Sequence, residues 1–497
     1  MVPAAPARYF CTSGKGMEHF VAQEVKNKLA AEKVEHVSGK VFFTTNSDLR
    51  KLQTLKSAER LFLLLKKLPP LSLPENKGRG LYKIKQYVIG DPCCWLDALS
   101  VWQNLQGKGF KEENPLFLKR NAEHAQTSLA PKKRKEDTTY VEAEDYHLEN
   151  QIVSPLLVGR EDDGKNNKQT FPGVPAQNQK EKPIADIKQH CISFRVSCRC
   201  SGTVAKRFTA QEVGRIVGIG LIKEFGWKAD LRNPYLEIFV HLNDSYCVVG
   251  FPVLRHPLAS REYIQRPGLR STVAWAMASL AEINSGAFVL DPMCGFGTIL
   301  MEAAKEWPDV QYLGVDVNAS QLQGAYENVK TAKLQDKINL FKASALELPL
   351  RSGSVDVVIS DIPFGKKFKA AKDMKLLLPD ILQEMERVLH VGGTLVLLLS
   401  RDLYNHINRH GIRIRSNENL SCGNEMSRPE MKAGSYQEKT NRSPTAVSSV
   451  MEEMAQETFA SKMTHCGSLM PVEFHGVSLG VTDAFIYKCK KISSAVL

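Results

Sequence analysis

No uninterrupted apolar run reaches the roughly 18 residues that a membrane-spanning helix needs, and the opening Met1–Arg8 carries no apolar core behind a charged end. The expectation is a soluble, intracellular protein. Cysteine is present without a pattern: the 11 Cys are scattered, the close pairs are Cys93-Cys94 and Cys198-x-Cys200, and paired Cys-x-x-Cys sets do not occur. Reduced thiols and no structural zinc follow. Acidic residues fall short of basic ones, 54 against 66, for a formal net charge of +12, which favours a polyanionic partner. At 497 residues and 43% hydrophobic content the chain exceeds one core, so two or three domains are expected.

The chain turns on residues 287–304. The apolar run Ala287-Phe288-Val289-Leu290 breaks into Asp291-Pro292-Met293-Cys294-Gly295-Phe296-Gly297-Thr298 and resumes as Ile299-Leu300-Met301-Glu302-Ala303-Ala304. This spacing predicts strand, glycine turn, helix, with Gly295 and Gly297 letting backbone approach a ligand at the switch point of a doubly wound sheet. Two absences narrow the ligand. Leu300 stands where a dinucleotide fingerprint wants a third Gly or Ala, and no Lys follows Gly297 as a Walker loop requires. The turn is therefore unsuited to pyrophosphate. The next strand, Val310–Val315, ends in Asp316, where a carboxylate can take both hydroxyls of a ribose. A nucleoside without phosphates fits best.

A second chemical stretch follows the strand Val355–Ser360: Asp361-Ile362-Pro363-Phe364-Gly365-Lys366-Lys367. An exocyclic base amine is a poor nucleophile because its lone pair is delocalised into the ring, so a site that uses it must orient that lone pair. A carboxylate at Asp361 and a main-chain carbonyl near Ile362 or Pro363 can accept the two N–H bonds while Phe364 stacks on a flipped base. The fixed φ of Pro363, which also restricts Ile362, can hold that carbonyl turned outward.

Around these stretches the chain reads in order. Arg8–Thr12, Met17–Ala30, Lys33–Val37, Gly39–Thr45, Leu49–Leu55 and Leu61–Leu65 form a β-α-β-β-α-β order, which is ferredoxin-like. From Lys108 the sequence turns polar, and a disordered insertion is expected. It contains Pro131-Lys132-Lys133-Arg134-Lys135, a basic run of the kind recognised in nuclear import or a loose nucleic-acid contact; the nucleus is the expected location, with the cytoplasm open. Order returns with the strand Cys191–Cys200, the helix Thr209–Phe225, and the strands Leu236–Leu242 and Tyr246–Phe251. Arg195, Arg199, Lys206, Arg207, Lys228 and Arg232 cluster here beside Trp227 and suit RNA phosphate contact, with Trp227 itself expected in the core. Leu269–Ala281 reads as an amphipathic helix, and its Arg270 as either a ligand contact or a surface charge. Ile338–Lys342 is a third strand, Lys375–His390 a helix and Leu395–Ser400 a fifth strand; a second polar insertion then precedes a strand pair, Pro471–Phe474 with Ala484–Cys489.

Asp-Pro-x-Cys-Gly-x-Gly-Thr followed by an acidic strand end resembles S-adenosylmethionine-dependent methyltransferases, especially those acting on exocyclic amines. Asp361-Ile362-Pro363-Phe364-Gly365-Lys366-Lys367 is similar to the RNA guanosine-N2 branch. The arrangement Phe194-Arg195-Val196, helix, Trp227-Lys228-Ala229-Asp230-Leu231-x-Asn233-Pro234, hairpin, then Leu258-x-x-Arg261-x-Tyr263 resembles the THUMP RNA-binding domain. Over most of its length the chain thus resembles the THUMP-domain RNA guanosine-N2 methyltransferase family. The resemblance implies an α/β architecture: a ferredoxin-like domain at 1–107, a disordered insertion at 108–185, a THUMP domain at 186–265, a Rossmann-like methyltransferase domain at 266–400, a disordered insertion at 401–465 and the final methyltransferase strands at 466–492. It implies S-adenosylmethionine held by Asp291, Pro292, Cys294, Gly295, Gly297, Thr298, Asp316, Ser344 and Ala345. Ser344, in Ser344-Ala345-Leu346-Glu347-Leu348-Pro349, stands where relatives place an Asp against the adenine amine, and a neutral hydroxyl is a weaker partner than a carboxylate. Asp361, Pro363 and Phe364 would be catalytic, with no metal. The implied partners are a structured RNA, either tRNA or a small nuclear RNA of the spliceosome, and a small zinc-binding multifunctional methyltransferase activator subunit. Methylation of adenine N6 or of a protein amide, and a non-catalytic RNA-binding role, stay open.

Overall fold

The computed structural model describes residues 6–107, 192–363, 371–410, 467–480 and 482–493. The basic run Pro131–Lys135, the insertion expected at 108–185, Phe364 and the residues 365–367 lie outside the described residues. Among those described, the chain divides into two compact units, residues 1–10, 44–49 and 61–255 in one, and 11–43, 50–60 and 256–497 in the other.

The N-terminal elements follow the expected order: β1 (Ala7–Thr12), α1 (Glu18–Leu29), β2 (Glu32–Val37), β3 (Lys40–Thr45), α2 (Leu49–Leu52) and β4 (Arg60–Leu68). Two helices that the sequence reading passed over come next, α3 (Lys77–Ile89) and α4 (Cys93–Gln106). The side chain of Asn76 caps α3 by accepting from Arg79 N at 3.0 Å. α4 is anchored by tryptophans: Trp95 is fully buried, and the Trp102 indole N–H donates to Pro252 O at 2.8 Å. Then come β5 (Ser193–Cys200), α5 (Thr203–Arg207), α6 (Ala210–Phe225), β6 (Lys228–Ala229), β7 (Leu236–Leu242) and β8 (Cys247–Pro252). Thr209 and Glu212 form a capping box that starts α6. The sheet order is β2-β3-β1-β4-β8-β7-β5-β6; its first four strands sit in ferredoxin-like order, β4 pairs antiparallel with β8, and β5 runs parallel to β7.

From residue 256 onward the elements are α7 (Ser271–Leu280), β9 (Phe288–Asp291), α8 (Thr298–Glu306), β10 (Gln311–Asp316), α9 (Ala319–Ala332), β11 (Ile338–Lys342), β12 (Val355–Asp361), α10 (Ala371–Val388), β13 (Leu389–Ser400), α11 (Arg401–His410), β14 (Leu469–Leu479) and β15 (Thr482–Lys491). The sheet runs β11-β10-β9-β12-β13-β15-β14. It is parallel through β13, and β15 pairs antiparallel with both β13 and β14. Strand alternation divides the core between its two faces: Val289, Val357, Ile359, Val396 and Leu398 on one, Leu290, Val358, Leu395, Leu397 and Leu399 on the other. Chain order reverses between β9 and β12, the crevice where open α/β sheets bind ligands at their carboxyl ends.

Three expectations need correction. The segment 269–281 is not amphipathic: Ser271 to Ala278 are all buried, because small Ser, Thr and Ala side chains let a helix be covered on every side. The fifth strand starts at Leu389, whose pairing with Val355 crosses a bulge. The segment from Arg401 opens as a helix, α11, with Leu403, Tyr404 and Ile407 in the core; residues 411–465 lie outside the described residues.

Candidate active site

The glycine turn is built as its residues demand. Gly295 and Gly297 have φ of +54° and +76°, the left-handed region where a side chain is strained. The turn is pinned to β10 by main-chain and carboxylate bonds: Cys294 N donates to Val315 O at 2.9 Å and Gly295 N to Asp316 Oδ2 at 2.9 Å. Asp316 Oδ1 accepts from Asn318 N at 2.8 Å. Each Asp316 oxygen thus keeps acceptor capacity beyond its one backbone bond. Pro292, Cys294 and Thr298 are buried, and the Thr298 hydroxyl oxygen is a buried polar atom with no partner among the described residues. Burial pushes the Cys294 thiol well above its ordinary range, so it acts as packing rather than as a thiolate.

Across the reversal point two carboxyls end neighbouring strands. Asp291, 1% exposed, accepts from Ser360 Oγ at 2.9 Å and from Met293 N at 3.2 Å. Burial pushes its carboxyl up to about 8, with Asp361 and Asp316 adding repulsion. Asp361 closes β12, opposite Leu398 in the register. Its Oδ1 is shielded from solvent and has no partner among the described residues, and burial pushes this carboxyl up to about 7. The following Ile362 is buried, and its N–H donates to Leu398 O at 3.1 Å, which fixes the entry to the loop carrying Pro363. Phe364 lies outside the described residues.

Ser344 is exposed just beyond β11, and its hydroxyl accepts from Leu346 N at 3.2 Å; Ala345 beside it is half-buried. Arg270 is paired with Glu59 at 3.1 Å, so its guanidinium is engaged within the protein.

Sequence reasoning missed three supports. Asn328, fully buried on α9, accepts from Gln265 N and Arg266 N at 2.8 Å and donates to Arg266 O at 2.9 Å and Phe296 O at 3.0 Å. It ties the 265–266 segment to the glycine turn, and an Asn inside a helix, where it is disfavoured, was the available signal. Ser360 is the second. Third, Glu302 on α8 is buried in an ion pair with Arg261 at 3.0 Å and accepts from the Tyr263 hydroxyl at 2.6 Å.

The basic residues of the first unit separate into two kinds. Arg199, Lys206, Lys228 and Arg232 are exposed. Arg195 is instead half-buried, with its guanidinium 3.2 Å from Glu237, its register neighbour on β7. Arg207 donates to the carbonyls of Leu73, Pro74 and Glu75. Both guanidiniums are thus engaged within the protein, although Arg207 is also exposed. Trp227 stacks on Phe225 at 4.7 Å and is buried, as expected.

Comparison with known proteins agrees with this architecture. A THUMP domain model matches residues 178–251, and an RMKL-like methyltransferase domain model matches residues 259–428. The chain is 52% identical over 507 residues to human U6 snRNA (guanine-N(2))-methyltransferase THUMPD2, covering 100% of this chain and 98% of that one. It is 27% identical over 415 residues to human tRNA (guanine(6)-N(2))-methyltransferase THUMP3, covering 78% of this chain and 79% of that one. Among solved structures, TrmN from Thermus thermophilus superposes with a TM-score of 0.56 at 18% identity, over 98% of this chain and 100% of that one. The chain belongs to the THUMPD2 family of THUMP-domain RNA guanine-N2 methyltransferases.

Proposed function

We propose that this enzyme methylates the exocyclic N2 amine of a guanosine in U6 small nuclear RNA, the substrate in the names of its half-identical relatives. The observation that carries the site assignment is Asp361 Oδ1, a shielded and unpartnered carboxylate oxygen at the reversal point of the sheet, beside Asp291 and the glycine turn.

The residues fit S-adenosylmethionine: a left-handed glycine turn, Asp316 with acceptor capacity on both oxygens, and the unpartnered Thr298 hydroxyl. When bound, this cofactor supplies an electrophilic methyl group. Asp316 would accept from the ribose hydroxyls, and Gly295 and Gly297 would admit the ligand against the backbone. Asp361 would accept an N–H of the guanine amine at Oδ1, orienting its lone pair and then taking the proton that the methylated nitrogen must shed. A carboxyl near neutrality is suited to that proton transfer, which requires its ionised form. The Ile362-Pro363 backbone would supply the second acceptor, with Phe364 stacking on the base.

RNA affinity would rest on Arg199, Lys206, Lys228 and Arg232 through phosphate contact. A small zinc-binding activator subunit is supported by β11, an edge strand of its sheet on which Phe341 is 50% exposed; such an edge suits strand addition. Pro131–Lys135 supports nuclear import. Nucleoside mass spectrometry of U6 RNA from cells lacking the protein tests the substrate. Loss of N2-methylguanosine supports it, and unchanged U6 with a deficit in tRNA would redirect it to the substrate class of THUMP3.

A further inference from the structure

The helix α3 was invisible to motif reading and holds none of the expected RNA residues, yet its outer face has a composition suited to nucleic acid. Its sequence carries Lys77, Arg79, Lys83 and Lys85 and no acidic residue. At about 3.6 residues per turn, Arg79, Tyr82, Lys83 and Gln86 fall on one stripe, and all four are exposed. The opposite stripe, Gly80, Ile84 and Val88, is buried. Gly80 lies so close to Phe208 that an added Cβ would come within 2.6 Å of the ring. The orientation of the helix is therefore fixed, and the basic stripe is held outward.

Tyr82 makes this more than a solvated charge run. Its side chain is 58% exposed, although burying an aromatic ring is the ordinary way to use it. The ring is steadied in place, with Gln86 Nε2 donating to its hydroxyl at 2.9 Å and Lys85 Nζ over the ring at 4.7 Å. Lys83 gives one donor to Ser72 O at 2.8 Å and, as an ammonium, keeps two. Lys77 is set apart by its ion pair with Glu212 at 2.6 Å, whereas Arg79 meets no acidic partner among the described residues. Arg207, on α5, ties down the carbonyls of residues 73–75 just before α3.

We infer that the outer face of α3 is an RNA contact surface: Arg79 and Lys83 against phosphates, Tyr82 against an unpaired base. This rests on the RNA-methyltransferase reading and enlarges its footprint. Charge complementarity chooses the partner, and an exposed aromatic between two cations suits a nucleotide, with its phosphate and its π-face, better than a uniformly acidic protein surface.

The test uses the full chain and a U6 RNA transcript, with titrations at several salt concentrations and with thermal melting to confirm folding. Arg79→Ala/Lys83→Ala should weaken binding about tenfold or more and lower the slope of log affinity against log salt by about 1 to 2, as for loss of two phosphate contacts. Tyr82→Ala should weaken binding about tenfold with the slope unchanged, while Tyr82→Phe should bind as wild type. S-adenosylmethionine affinity should not move in any variant. If the double variant and Tyr82→Ala both keep wild-type affinity and slope, the inference is overturned and the face is left to an acidic protein partner. If wild-type protein itself fails to bind RNA, the functional reading has failed rather than this surface alone.

Discussion

Ser360 Oγ donates a 2.9 Å hydrogen bond to Asp291 Oδ1 across the point where strand order reverses, both residues are buried, and the next residue after Ser360 is Asp361. One hydroxyl thus links the end of the cofactor strand to the strand that presents the second carboxyl. Ser360→Ala would leave Asp291 with one acceptor bond fewer in a buried place, at a cost of about 1–3 kcal/mol. Denaturant titration should show a lowered midpoint at unchanged slope, and an unmoved midpoint would mean the bond contributes nothing net.

The same two carboxyls set the response to pH. Asp291 and Asp361 are pushed up to about 8 and about 7, above the roughly 4 expected of an unfolded Asp. Between pH 4 and 8 the folded chain therefore holds more protons than the unfolded one, so their contribution to stability must fall as pH rises and level off above about 8. Asp291→Asn, which cannot ionise, should flatten this decline. Melting temperatures measured from pH 5 to 9 in both proteins check the sign; a wild-type contribution that rises with pH would contradict it.

Catalysis should run the other way. An ionised Asp361 is needed to accept a proton, so kcat/KM should rise with pH through about 7, the value to which burial pushes the group. Asp361→Asn should lose that limb along with most of its activity. Rates measured across pH 5.5–8.5 with the same limb in both proteins would assign it to another group.

Cofactor affinity should depend on the turn and its carboxylate. Asp316→Ala removes the acceptor held by Gly295 N and Asn318 N. Gly295→Val puts a branched side chain at φ +54°, where a Cβ also meets Gln321 Oε1 at 3.0 Å. Calorimetry should show S-adenosylmethionine binding lost in both while the far-ultraviolet circular dichroism stays native, and retained affinity would remove the assignment.

Glu302 and Arg261 make a stability claim separate from chemistry. Their ion pair is buried at 3.0 Å and shared with Tyr263, so removing one partner strands a charge. Arg261→Met should cost about 3–5 kcal/mol, whereas the charge-free pair Arg261→Met/Glu302→Leu should recover most of it. Equal losses in the single and double variants would show that packing, not charge, is responsible.

Legibility in the sequence followed locality. Strand, turn and helix at 288–306 and the strand ending in Asp361 were readable because alternation, glycine and proline act on their immediate neighbours. The second sheet's closing strand pair was readable for the same reason, and β14 pairs with β15 as expected. What escaped depends on distant partners. α3 and α4 each carry a buried stripe, Ile84 and Val88 on the first and Trp95, Leu99 and Trp102 on the second, but the groups they meet, such as Phe208 and Pro252, lie more than a hundred residues away in sequence. Arg195 reads as a free cation until Glu237 is placed beside it on the neighbouring strand. Asn328, marked only by standing inside a helix, and Ser360, unmarked, show their roles once folding brings Phe296 and Asp291 within 3.0 Å of their side chains.

The central claim is that Asp361 at the end of β12 is the group that handles the guanine amine. The most direct measurement is single-turnover methyl transfer to U6 RNA by Asp361→Ala, with the activator subunit present and N2-methylguanosine quantified by mass spectrometry. The account predicts S-adenosylmethionine and RNA affinities near wild type and a transfer rate lower by roughly a hundredfold or more, the scale of losing one preorganised polar group. Transfer at the wild-type rate would contradict it and place the reacting amine elsewhere.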